Sequence, residues 1–176
     1  MSGVLTIHSS GTGEILSGHS WIEYVPDTGA AKTYGTWGNN PTNKGNGLFE
    51  NLELGRTSDA SRSARIDDKH EAALLTVIDG YKKKGESGWG YLSPCSTFAA
   101  DAWKAGTGEK LAHRSGIISN PSKLKDSIKA AAASDAKKAA AQTAKPNPAR
   151  PTSSRRRCKS SMQGCALEKP ADKLNE

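Results

Sequence analysis

The sequence predicts an α+β domain: a small antiparallel sheet packed against two or three helices, followed by a disordered basic tail. Three observations carry this. Short segments of alternating polar and apolar residues fill the first 66 positions, as in Gly18-His-Ser-Trp-Ile-Glu-Tyr24. Segments with helical spacing begin only after Asp68. All four Trp, all four Tyr and both Phe lie before residue 104, so the side chains able to build a core sit early in the 176-residue chain.

Val4 to His8 reads as a first strand, closed by the Ser9-Ser-Gly-Thr-Gly13 turn. Ile15 to Val25 reads as a second strand and Ala31 to Trp37 as a third, joined through Pro26-Asp-Thr-Gly29 into a hairpin. Residues 38–47, rich in Gly and Asn, form a surface loop bordering a cleft. Leu48 to Leu54 alternates weakly, and Ser63 to Ile66 reads as an edge strand. Asp68-Lys-His-Glu71 is a capping box opening a helix with Leu74, Val77, Ile78 and Tyr81 on one face; Lys82-Lys-Lys84-Gly85 ends it. A second helix runs from about Pro94 to Ala105, with Ser93 as N-cap and Gly106 as its stop. Pro121 to Ile128 forms a short amphipathic helix that docks through Leu124 and Ile128.

The basic character belongs to the C-terminal part. Residues 1–115 hold 12 Lys/Arg against 13 Asp/Glu, whereas residues 116–176 hold 13 against 5, and together they give the net +7. The domain reading is therefore one folded unit over residues 1–128 and an Ala/Lys/Arg/Pro-rich basic tail over residues 129–176. Ala130 to Ala144 has helical propensity but no large apolar side chain to pack. No stretch reaches the roughly 20 apolar residues of a membrane span, and the N-terminus lacks the pattern of a secretory signal. The expectation is synthesis in the cytoplasm, with any export by a route that needs no cleavable signal. Arg155-Arg-Arg157 reads as solvated tail, so no nucleic-acid partner is expected. No Cys/His pair has metal-ligand spacing, and no cofactor is expected. Cys158 and Cys165 either pair in an oxidising compartment or remain two free thiols.

Chemistry points to Cys95. A cysteine in the first turn of a helix faces the positive end of the macrodipole and unpaired backbone N–H groups, which lower a thiol pKa and supply oxyanion donors. His19, on the second strand, is the candidate base. Pairing Val25 with Ala30 across the turn sets His19 opposite Thr36, with Tyr34 at a diagonal. Thr36 is then the candidate that orients the imidazole, and Tyr34 the second. Trp21, Tyr34 and Trp37 are candidate substrate-binding residues, with Trp89 and Tyr91 as further cleft candidates; core packing is the alternative for the strand aromatics. His8, His70 and His113 read as structural or solvated.

Gly-His-Ser-Trp-Ile-Glu-Tyr on a strand, followed by Pro-Cys-Ser-Thr-Phe-Ala-Ala-Asp-Ala-Trp on a helix, resembles the circularly permuted papain-like fold. Its members include NlpC-type peptidoglycan endopeptidases, lecithin retinol acyltransferase-like proteins and cell-wall amidase effectors of type VI secretion. The resemblance spans roughly residues 4–128 and implies Cys95 as nucleophile and His19 as base. It further implies a cysteine hydrolase acting on an amide bond in the peptide stem of bacterial peptidoglycan, as an antibacterial effector in a target cell's periplasm. A cognate immunity protein and a component of a secretion apparatus are the partners so implied. Acyl transfer on lipid or deamidation of a protein would use the same two residues. A non-enzymatic binding module with a basic tail is the reading of a different class.

Overall fold

The computed structural model describes residues 2–12 and 18–143. Five strands form one antiparallel sheet: β1 Gly3–Ser10, β2 His19–Pro26, β3 Lys32–Trp37, then after the single-turn helix α1 Asn39–Thr42, β4 Gly47–Glu50 and β5 Ala60–Ile66. Their order across the sheet is β4-β3-β2-β1-β5, so β1 and β2 are central and β5 is an edge. Helix α2 Asp68–Lys84 follows, then a 3₁₀ turn Gly85–Gly88, helix α3 Cys95–Thr107, a two-residue hairpin β6 Arg114–Ser115 and β7 Ile118–Ser119, and helix α4 Pro121–Thr143. The α+β class is as expected.

Alternation decides which face the helices cover. On β1, Leu5 and Ile7 are fully buried and pair with Tyr24 and Ile22 of β2. Ile22 in turn pairs with Tyr34 of β3. These side chains pack with Leu74, Ile78 and Tyr81 of α2, Phe98, Ala99, Ala102 and Trp103 of α3, and Leu124 and Ile128 of α4. Burying side chains of the Leu and Phe kind is worth roughly 1.5–3 kcal/mol each, and this layer holds the domain together. Gly106 belongs to it: a Cβ there would lie 2.5 Å from Leu5 Cδ2, so the glycine lets α3 approach β1. The helix ends instead at Gly108, whose φ of 74° makes the left-handed cap.

The opposite face of the sheet carries His8, Trp21 and His19, and the two faces matter for the site. The observed register pairs Tyr24 with Lys32, not Val25 with Ala30. Pro26 is still held against Gly3, and the Asp27 N–H donates to the Ser2 carbonyl at 2.8 Å, so the chain reverses later and returns one residue out of step. A one-residue slip exchanges faces. Thr36 and Tyr34 therefore lie on the helix face, opposite the face that carries His19.

Other boundaries shift for local reasons. β1 continues through Ser9 and Ser10, both paired to β2. The cap of α2 is Asp67, whose Oδ1 accepts the His70 N–H at 2.9 Å; Glu71 accepts from Tyr24 Oη at 2.6 Å instead of closing a box around Asp68. Helix α3 begins at Cys95 with Pro94 as N-cap residue, because Ser93 is tied into a short turn with Gly90. Helix α4 continues past Ile128 to Thr143, with Ala131 packed on the core and Asp135 bonded to Arg62 at 2.9 Å. The expected strand start at Ile15 and the basic segment with Cys158 and Cys165 lie outside the described residues. Among the described residues no helix is long and apolar enough to cross a membrane.

Candidate active site

His19 is the first residue of β2, and Gly18 before it has φ of 111°, a conformation that favours glycine. Its imidazole is almost fully buried, stacked between two indoles: Trp21 at 5.6 Å and Trp37 at 3.7 Å between ring centroids. Trp21 stacks onward against His8 at 5.0 Å. The Arg56 guanidinium lies 5.6 Å from the Trp21 ring and 5.4 Å from the Trp37 ring, within cation–π reach of both.

Glu53 holds the ring. After β4 the chain takes a left-handed step at Asn51, with φ of 64°, and the Asn51 N–H donates to the Thr33 carbonyl at 2.8 Å. That step folds the following turn beneath the His19 face and delivers a carboxylate whose side chain has no exposed surface. His19 Nε2–H donates to Glu53 Oε1 at 2.9 Å; Trp37 Nε1–H donates to the same oxygen at 2.6 Å, and Thr33 Oγ1 donates to Oε2 at 3.2 Å. Backbone Glu53 N–H closes the cage on Thr33 Oγ1 at 3.2 Å. A buried carboxylate with this many donors is satisfied and fixed. Gly35 sits directly under the pair: a Cβ there would be 2.2 Å from Glu53 Oε1 and 3.0 Å from His19 Nε2.

With Nε2 committed to Glu53, Nδ1 is the nitrogen left for a thiol. Cys95, first residue of α3, is buried and lines the same cleft as His19. Backbone N–H groups of Ser20, Ser96 and Cys95 itself act on its sulfur and favour the thiolate, but burial outweighs them and pushes the thiol up to about 11. The lowered thiol pKa expected from the helix start is thus not realised in the resting site. Burial likewise holds His19 below its ordinary value of 6.5, against the pull of Glu53. The resting pair is a neutral thiol and a neutral imidazole.

The cleft has a volume of about 190 Å³. Trp37, Trp89, Tyr91, Pro94 and Pro121 wall it, Thr36 and Ser119 add hydroxyl-bearing residues, and among the described residues no Lys, Arg, Asp or Glu lines it. Of the three residues expected to bind substrate, Trp37 lines the cleft; Trp21 is packed between His8 and His19, and Tyr34 is a core residue on the helix face. Thr36 borders the cleft from the helix side, its Oγ1 buried and without a hydrogen-bond partner among the described residues, and it does not orient His19. That role falls to Glu53, which a pattern of alternation over residues 48–54 did not single out. Among the described residues no group of three His, Cys, Asp or Glu side chains is placed to hold a metal ion. Comparison with protein-family models, with curated proteins and with solved structures finds no match to this chain.

Proposed function

We propose that the chain is a cysteine hydrolase of permuted papain-like fold that cleaves an amide bond. The observation that carries this reading is one cleft containing Cys95 at a helix start and His19 held through Nε2 by the buried carboxylate of Glu53. Nucleophile, base and orienting group are the three parts that thiol-based acyl transfer needs.

The chemistry follows from the neutral resting pair. As the acyl carbonyl enters, the Cys95 thiol passes its proton to His19 Nδ1 and Sγ attacks the carbonyl carbon. The imidazolium is stabilised by Glu53 across the Nε2–H bond, and backbone N–H groups around Cys95 face the developing oxyanion. His19 then returns the proton to the amine nitrogen, the C–N bond breaks, and an S-acyl enzyme remains. Water, deprotonated by His19, attacks the thioester, releasing the carboxylic acid and restoring the thiol.

The cleft has room for a small acyl portion, and among the described residues its walls are uncharged, which favours an uncharged residue beside the scissile bond. The resemblance in the two motifs makes the peptide stem of bacterial peptidoglycan the substrate we favour, with action in a target cell's periplasm and an immunity protein as natural antagonist. Mass spectrometry of purified peptidoglycan, digested by wild type and by Cys95→Ala, tests this. New stem-peptide fragments from wild type alone are expected. Intact stems after prolonged digestion would remove peptidoglycan as the substrate.

A further inference from the structure

A second cavity, of about 350 Å³, begins one side chain away from the catalytic cleft. Ser119 lines the cleft, and its Oγ lies 2.7 Å from His113 Nδ1; His113 in turn lines the second cavity. Lys104 of α3, Lys110 of the following loop and Arg114 of β6 surround the same space. One carboxylate, Asp101, joins them, and it already accepts the Tyr81 hydroxyl at 3.0 Å. Some cations of the domain do have acidic partners, as Lys32 has Glu50, Arg62 has Glu109 and Asp135, and Arg65 has Asp27; what sets the cavity apart is that three cations surround one space. Among the described residues Lys104, Lys110 and Arg114 have no such ion pair. A cation in the last turn of α3 suits the helix dipole, which accounts for Lys104 but not for the other two. Three cations against the single carboxylate of Asp101 leave the concavity with an excess of positive charge, which favours an added anion.

We propose that this cavity binds an oxyanion, a phosphate- or carboxylate-bearing group, and that its occupancy is transmitted through His113 and Ser119 to the catalytic cleft. The transmission rests on counting protons. Ser119 is buried, and its hydroxyl also lies 2.7 Å from Ser96 Oγ, so one proton serves two neighbours. With Nδ1 of His113 unprotonated, Ser119 donates to it and accepts from Ser96. With Nδ1 protonated, His113 donates, Ser119 turns its proton toward Ser96, and the Ser96 proton is released. Ser96 is the second residue of α3, and its backbone N–H already favours the Cys95 thiolate. Burial, Arg114 and Lys110 hold His113 toward the neutral form, and Asp101 pulls the other way. An anion in the cavity sides with Asp101 and reverses the hydrogen bonds.

The site goes beyond the hydrolase reading and is tested without a substrate. His113 in the full chain is titrated by NMR, assigned with His113→Gln, in chloride, inorganic phosphate and acetate at matched ionic strength. Phosphate should raise the His113 midpoint by about half a unit or more relative to chloride. The acetate arm separates a carboxylate preference from a phosphate one. Lys110→Gln with Arg114→Gln should weaken phosphate binding about tenfold. Phosphate acting no better than chloride, or binding unchanged in that double variant, overturns the site. The alkylation rate of Cys95 by iodoacetamide should rise about fivefold with phosphate in wild type and stay flat in Ser119→Ala. A wild-type rate indifferent to phosphate overturns the transmission even where phosphate binds. Loss of amide hydrolysis without loss of these effects counts against the hydrolase reading alone.

Discussion

Replacing Gly35 by alanine adds one methyl group to the protein at the place where it can do the most harm. Gly35 does not have positive φ, so alanine fits the backbone and the perturbation is steric alone. The new Cβ would stand 2.2 Å from Glu53 Oε1, whereas ordinary van der Waals contact begins near 3.4 Å, so the oxygen must retreat by about 1 Å. That oxygen is the one that accepts from both His19 and Trp37. Hydrogen bonds to a charged group contribute about 1.5–3 kcal/mol each, and the lost unfolded-state freedom of glycine returns at most about 1 kcal/mol. Gly35→Ala should therefore lose about 2–5 kcal/mol in urea denaturation. With the imidazole released from its orientation, turnover of an amide substrate should fall about a hundredfold. Gly80→Ala is the internal control: nothing lies within 4 Å of its added Cβ, and in the middle of α2 it should stabilise by about 0.5–1 kcal/mol. Shortening the acid by one methylene, Glu53→Asp, should rescue part of the Gly35→Ala defect while being harmful alone. Wild-type stability and turnover in Gly35→Ala would refute the assignment of Glu53.

Cys95→Ala and His19→Ala should each abolish turnover and, combined, cost no more than either alone; a variant retaining more than about a tenth of wild-type rate would exclude the dyad. Stability should fall on acidification. His8, His19 and His113 are all held below 6.5 in the folded state, so between their folded values and 6.5 the unfolded chain binds more protons. The stabilisation is complete above about pH 6.5 and is lost as pH falls through the folded values, so the urea midpoint should be lower at pH 5 than at pH 7.5. A higher midpoint at pH 5 would contradict neutral burial. A chain ending after Thr143 should keep the full melting temperature and turnover. One ending at Ala130 should melt lower, because it loses Ala131 from the core and Asp135 from Arg62; equal melting temperatures would show that the second half of α4 adds nothing.

What was legible in the sequence is what short-range pattern encodes. Period-two alternation around His19 and helical spacing around Leu74 and Phe98 located the sheet and its helices, and a cysteine at a helix start needs no long-range information to be noticed. Register was not legible to one residue. It depends on where a strand lets go of its other neighbour, and Pro26 stays with β1. That single step moved Thr36 and Tyr34 to the other face. Glu53 was hidden for a related reason. It lies in a turn, 34 residues from His19, and only the left-handed step at Asn51 folds it under the sheet. Gly35 marked the spot, since a glycine inside a strand signals a close approach to another group.

The burial of the dyad and the fixing of its neighbours act at different moments. Desolvation raises the Cys95 thiol to about 11 and depresses His19, and both effects favour the uncharged pair before substrate arrives. Glu53, Trp37 and the N–H groups around Cys95 oppose that penalty, and they are already in position, with no reorganisation left for the reacting state. A site built this way keeps its thiol quiet toward small electrophiles at neutral pH, because so little thiolate is present. On the proposed hydrolase reading it ionises when a bound carbonyl gives the charge somewhere to go. The same geometry explains why the carboxylate must be buried: a solvated Glu53 would be free to move, and its field at the imidazole would be screened. The cage of Trp37 and Thr33 makes that burial tolerable, so on the proposed hydrolase reading those two residues position the base by holding Glu53.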